Sequence, residues 1–215
     1  MRVLVTGGAG FIGSHLVERL LARGDEVFVI DDLSTGSLDN LTAVRQHPGL
    51  HLNVDTIMNH PVVHETISRC DQVVHLAAAV GVRKIIEQPV ETITTNVRGT
   101  EIVLDCCERH RVPLFLASTS EIYGKATDLL DEDHDRIMGS TTHQRWAYAC
   151  TKALDEFLAL AYHRERGLPV MIGRFFNTVG PRQTGQWGMV LPSFVERALQ
   201  GRALQVYGSG RQQRC

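Results

Sequence analysis

The chain has no surplus of either charge: 22 Lys and Arg stand against 24 Asp and Glu, for a formal net charge of −2 over 215 residues. That leaves no electrostatic footprint for nucleic acid or an anionic membrane, so any phosphate ligand must be met at a local site. Cysteine is sparse and odd in number: Cys70, Cys106, Cys107, Cys150 and Cys215 offer no C-x-x-C spacing. This argues against a disulfide framework and a zinc ribbon, and it reads as free or buried thiols in a reducing cytoplasm. The ten histidines are scattered without an H-E-x-x-H pattern, so no metal site is expected. No signal peptide is expected from the start at Met1-Arg2, and the sequence shows no long apolar span, internal repeat or low-complexity tract. What is present, at 43% hydrophobic composition, is an ordinary globular chain able to bury one full core and part of a second.

The most informative stretch is Thr6-Gly7-Gly8-Ala9-Gly10-Phe11-Ile12-Gly13, which follows an apolar run over 3–5 and opens an amphipathic helical pattern over 12–22. Three spaced glycines at a strand-to-helix turn let backbone N–H groups approach a pyrophosphate, and the helix N-terminus adds partial positive charge. A glycine triad alone also fits a tight turn without a ligand. Here a second apolar run, 26–30, ends in Asp31-Asp32 about 20 residues on, as expected for an acid that holds an adenosine ribose. No arginine lies between Asp31 and Asn40 to receive a 2′-phosphate, which favours NAD over NADP.

Strand-like and helix-like runs alternate, which requires crossover helices and a parallel sheet. Strands are expected near 2–5, 26–30, 50–54, 72–76, 114–117 and 170–174, with helices starting near Ile12, Leu38, Pro61, Pro89 and Trp146. The fold class is thus α/β, a Rossmann-type doubly wound parallel sheet. After Arg174 the composition shifts to Asn177, Gly180-Pro181, Gly185 and Gly188, followed by a short helix over 191–200 and a strand over 204–207. The expected division is a dinucleotide-binding domain over 1–176 and the start of a substrate-binding lobe over 177–215, incomplete and apparently truncated.

Two further patterns carry chemistry. Tyr148-Ala149-Cys150-Thr151-Lys152 puts a phenol and an ammonium at i, i+4 on one helix face, where the cation favours phenolate. A tyrosine of ordinary pKa, about 10, needs about 4 kcal/mol of differential stabilisation to be half ionised at neutral pH. Such a pair is common on ordinary helices and gains meaning only downstream of the glycine loop. The run 117–124, with Ser118-Thr119-Ser120-Glu121, directly follows the fifth strand, where open α/β sheets hold ligands; the plainer role is a polar loop that caps a helix.

Together with His75-Leu76-Ala77-Ala78, Asn96-Val97-Arg98-Gly99-Thr100 and the run 174–181, these motifs resemble the extended short-chain dehydrogenase/reductase family. Within it the likeness is to the NAD-dependent nucleotide-sugar epimerases, dehydratases and decarboxylases, over the whole chain. The resemblance implies NAD along Gly7, Gly10, Phe11, Ile12 and Gly13, with Asp31 and Asp32 at the adenosine ribose, Asp55 near the adenine, and Leu76, Ala77, Ala78 and Asn96 along the cofactor. It makes Tyr148 the catalytic base, has Lys152 hold Tyr148 and the nicotinamide ribose, and has Thr119 bond the sugar hydroxyl being oxidised. Ser120, Asn177 and Val190 would touch substrate, Gln205 and Tyr207 the nucleotide base, and Arg214 the diphosphate, where a guanidinium makes paired charge-assisted bonds. A homodimer through the long helices near 89–110 and 146–166 is also implied.

The implied reactions share a first step, loss of a proton and a hydride at sugar C4 to give a 4-ketone. A carboxylate at Glu121 suggests chemistry beyond simple epimerisation, with general acid/base work near C5. Ser-Thr-Ser-Glu resembles the UDP-glucuronate decarboxylases and also GDP-mannose 4,6-dehydratases. It lacks the aspartate that thymidine-diphosphate-glucose dehydratases carry at the position of Ser120. Decarboxylation is the leading expectation, ahead of 4-epimerisation and 4,6-dehydration. A non-catalytic NAD sensor or inactive fragment would keep the glycines but has no need of Thr119, Glu121, Tyr148 and Lys152 together.

Overall fold

A computed structural model describes residues 1–126, 129–185, 188–206 and 208–211. Six parallel strands, β1 (Arg2–Thr6), β2 (Glu26–Asp31), β3 (Leu50–Val54), β4 (Gln72–His75), β5 (Leu114–Thr119) and β6 (Val170–Phe175), form one sheet in the order β3-β2-β1-β4-β5-β6. The chain winds outward one way from β1 and then restarts at β4 on the other side. The crevice between β1 and β4 is therefore the topological switch point where such sheets hold ligands. This is the doubly wound sheet expected from the alternation.

Each central strand sends alternate side chains to opposite faces, and both faces find helices. Val3, Val5, Val27 and Val29 pack beneath α1 (Phe11–Ala22), where they meet Val17, Leu20 and Leu21. Leu4, Phe28 and Ile30 point the other way, toward α2 (His60–Ser68), α4 (Pro89–His110) and α5 (Trp146–Arg166). Burying one such leucine or isoleucine contributes about 2 kcal/mol. Glycine ends α5, with Gly167 at φ +70, where an L side chain would be strained.

The helix expected from Leu38 forms as a 3-10 helix (Leu38–Val44), in which only Leu41 is buried and Asp39 and Thr42 bond locally. A short helix, α3 (Val82–Glu87), enters through Gly81 at φ +108 and was not anticipated. The last helix, α6 (Val190–Leu199), forms as expected, but residues 204–206 make no strand: no sheet edge pairs with them, and Leu204 and Val206 are more than half exposed. Tyr207 lies outside the described residues. Among the described residues, no helix is long and apolar enough to cross a membrane.

Candidate functional site

The glycine loop closes tightly. Gly7 N–H donates to the Ile30 carbonyl at 2.8 Å, and Gly10 N–H to the Gly7 carbonyl at 3.1 Å. A Cβ at Gly7, which sits at φ +73, would lie 2.9 Å from Ala77 N, and one at Gly13 would collide with the Gly7 carbonyl. Only glycine lets strand, loop and helix approach this closely. Gly10 is the N-cap of α1, no side chain caps that helix, and its first turn holds no acid. The first-turn N–H groups around Phe11, Ile12 and Gly13 thus form an anion-ready terminus.

Asp31 ends β2 beside this loop. Its carboxylate accepts Ala9 N–H at 2.8 Å and Leu33 N–H at 2.9 Å, and burial holds its pKa above the usual carboxylate range despite those bonds. Asp32 is turned to solvent and accepts Ser34 N–H. Asp55 follows β3, linked by its N–H to the Asp31 carbonyl, and its carboxylate accepts from Thr56 N–H and the Asn59 amide. Leu76, Ala77 and Ala78 continue from β4 over Gly7, with Ala77 N–H donating to Thr6 Oγ1 at 3.1 Å. The donors and glycine contacts here fit a dinucleotide.

Asn96 is 1% exposed and acts as a strut. Its amide accepts Ala79 N–H at 2.8 Å and donates to the Ala79 carbonyl and to Thr151 Oγ1, both at 3.3 Å. It fastens the loop after β4 to α5.

Thr119 ends β5 and caps a 3-10 helix (Ser120–Tyr123), its Oγ1 accepting Glu121 N–H at 3.2 Å. The capping role that the sequence left open is real, and it turns Ser120 and Glu121 toward α5. Burial raises the pKa of the Tyr148 phenol, and the charges of Glu121 and then Asp155 add to the shift. Lys152 Nζ, one turn along the same helix from Tyr148, pairs with Asp155 Oδ2 at 3.0 Å, with both side chains all but fully buried. The physical reason is local, because Asp155 lies one turn from Lys152 on the same helix face.

The site residues missed by sequence reasoning form a buried chain beneath this pair. Thr6 Oγ1 meets His75 Nδ1 at 2.7 Å, and His75 Nε2 meets Thr100 Oγ1 at 3.2 Å. Burial, helped by the Lys152 charge, pushes the His75 pKa down to about 3, so the ring is neutral. Burial pushes the Asp155 pKa up, against the pull of Lys152 and Thr100. The i, i+3 spacing of Lys152 and Asp155 could have signalled this pair; the link to His75 needs the fold. Glu156 was also missed, and it holds Arg174 through paired bonds of 3.0 and 2.8 Å beneath Tyr123.

The expected substrate residues are dispersed. Asn177 follows β6 on the strand-end side, whereas Val190 opens α6 and is 59% exposed. Gln205 accepts from Arg197 at the surface. Arg214 lies outside the described residues, as does Tyr207. A cleft of about 590 Å³ between β6, α5 and residues 132–136 includes Glu156 and Arg174 but none of Thr119, Glu121, Tyr148 or Lys152.

Comparison with known proteins agrees with this geometry. The family model described as the NAD dependent epimerase/dehydratase family matches residues 3–214. The UDP-N-acetyl-alpha-D-glucosaminuronate decarboxylase of Bacillus cytotoxicus is 43% identical over the whole chain, and UDP-glucuronic acid decarboxylase 1 of Arabidopsis thaliana is 39% identical. The chain spans 66% of the first relative's length and 48% of the second's. The structure of a UDP-glucuronic acid 4-epimerase from Bacillus cereus, in complex with UDP-glucuronic acid and NAD, superposes with a TM-score of 0.88 at 30% identity, covering 100% of this chain and 68% of that one. By sequence and by fold, the chain belongs to the NAD dependent epimerase/dehydratase family.

Proposed function

We propose that the chain binds NAD along its glycine loop and acts on a nucleotide sugar through a transient 4-ketone, with decarboxylation of a UDP-hexuronate as the reaction. The observation that supports this reading is that Glu121, capped by Thr119 just past the β5 strand end, is close enough to Tyr148 on α5 to influence the phenol. Two relatives at 43% and 39% identity bear decarboxylase names, which supports the assignment. When bound, NAD would take up the C4 hydride and later return it.

Gly7, Gly10 and Gly13 would admit the pyrophosphate to the α1 terminus, and Asp31 would hold the ribose. Tyr148 takes the proton of the C4 hydroxyl, and Thr119 donates to that oxygen. Ionising Tyr148 in its half-buried setting requires positive charge, and Asp155 governs how much of the Lys152 charge reaches it. Glu121 moves a proton at C5 once the carboxylate has left. Residues 177–215 are read as the start of the sugar-binding lobe, after a cofactor domain over 1–176.

Exposed Val90 and Ile93 on α4, and Leu154, Phe157 and Leu160 on α5, support a homodimer in which these helices meet their copies. Four cysteines without disulfides among the described residues are in keeping with a cytoplasmic protein.

Proton NMR of the protein with UDP-glucuronate or its N-acetylglucosaminuronate counterpart and catalytic NAD tests the reaction. A pentose product from either substrate is expected; inversion at C4 with the carboxylate retained, or no change, would overturn the decarboxylase assignment. Tyr148→Phe should cut turnover by at least ~100-fold and leave NAD affinity within about threefold. Equal loss of both would point to a binding role instead.

A further inference from the structure

Away from the strand-end crevice, α2 and α4 run side by side in matched register. His60 faces Cys106 and His64 faces His110, each pair 46 residues apart in the chain. His60 Nε2 lies 3.9 Å from Cys106 Sγ and 3.8 Å from Asp105 Oδ2, and the ligand atoms of all three residues fall within 4.8 Å of one another. Tetrahedral zinc, with bonds of about 2.0–2.3 Å, sets its ligand atoms roughly 3.3–3.7 Å apart, so closure needs only small side-chain adjustments. One nitrogen, one carboxylate oxygen and one sulfur suit a borderline ion better than calcium or magnesium.

We propose that His60, Asp105 and Cys106 form a transition-metal site of the zinc class, with a fourth position open to water, and that the bound ion clamps α2 to α4. The sulfur is buried while His60 and Asp105 are partly exposed, which gives the ion a path in. Arg109 shares the Asp105 carboxylate at 3.5 Å, but its side chain is 58% exposed and can turn to solvent. Burial, with the Asp105 charge adding, holds the Cys106 thiol at about 11, and a divalent ion reverses that by taking the sulfur as thiolate. One turn along, the His64 and His110 Nε2 atoms lie 3.0 Å apart, a second rung of the same interhelical groove. The clamp grips α4 ten residues, or about 15 Å of helix, from Asn96, the strut beneath the crevice. Sequence spacing gives no hint of this group, because its ligands come from two helices.

The test is titration of the reduced, chelator-treated protein with Co²⁺ and then Zn²⁺. One equivalent of Co²⁺ should bind with a sulfur-to-cobalt charge-transfer absorption that Zn²⁺ displaces. H60A and D105A should each weaken binding by more than about 100-fold, since even outer-shell changes at metal sites cost 10–100-fold. C106S should abolish the charge-transfer band. Should C106S fail to fold, the two changes at partly exposed positions still decide the matter. The double variant H64A/H110A should keep both band and stoichiometry. No saturable binding, binding unchanged in H60A and D105A, or loss of the band in H64A/H110A would each overturn the assignment.

Discussion

One face of the sheet contains two different surfaces. Beneath α1, Val3, Val5, Val27 and Val29 are at most 1% exposed. The same face continues through the register from Val5 to Val74, Phe115 and Met171, and there Met171 is 67% exposed. The side chains are equally apolar; what differs is whether a helical stripe meets them. Helix α6 makes the same point, because Val190, Leu191, Val195 and Leu199 are all more than half exposed and the helix has no buried residue. On this face, therefore, burial is concentrated around β1 and β2, whereas on the opposite face Leu114 and Leu116 of β5 are as deeply buried as Leu4.

Acid gives the largest way to break this contrast. His75 is buried on the opposite face, against Thr100 of α4, neutral at a pKa of about 3 in the fold and about 6.5 when unfolded. The unfolded chain binds the proton first, so this contribution is fully present above about pH 6.5 and is lost as pH falls toward 3. The whole window is worth on the order of 4–5 kcal/mol, with about 2 kcal/mol gone by pH 5. Urea unfolding of the protein and of His75→Gln at pH 7.5 and 5 should show the steeper loss in the former; equal slopes would remove His75 from the account. Next in size, Leu4→Ala should cost about 3 kcal/mol by the same measurement, as expected for a fully buried leucine. Met171→Ala, on the open part, should change stability by less than ~0.5 kcal/mol. A large loss there would mean that something covers Met171 in solution.

The parts of the molecule legible in the sequence are those written in local spacing. The glycine loop, the acid ending β2, the strand alternation and the long helices all follow from short-range pattern, and each forms where that pattern indicates. The helix at Val82–Glu87 escaped because six residues are too few to show a helical period. Residues 204–206 look strand-like in isolation, but a strand exists only with a neighbour to bond. In the site, Tyr148 and Lys152 were visible as a pair, and the Lys152–Asp155 spacing is equally local, whereas the His75–Thr100 contact joins β4 to α4, which no local pattern does.

The segment after β6 returns to α1 at four points on one stripe of that helix. Gly180 lies against the Phe11 ring, the Pro181 carbonyl meets His15 at 3.1 Å, and the Arg182 fork bonds Ser14 at 3.2 Å and Glu18 at 2.6 Å. Positions 11, 14, 15 and 18 thus act as a cleat that moors the chain before it reaches α6. Any swing of α6 relative to the sheet must pivot beyond Arg182, and the force of that swing is delivered to the same helix whose first turn borders the glycine loop.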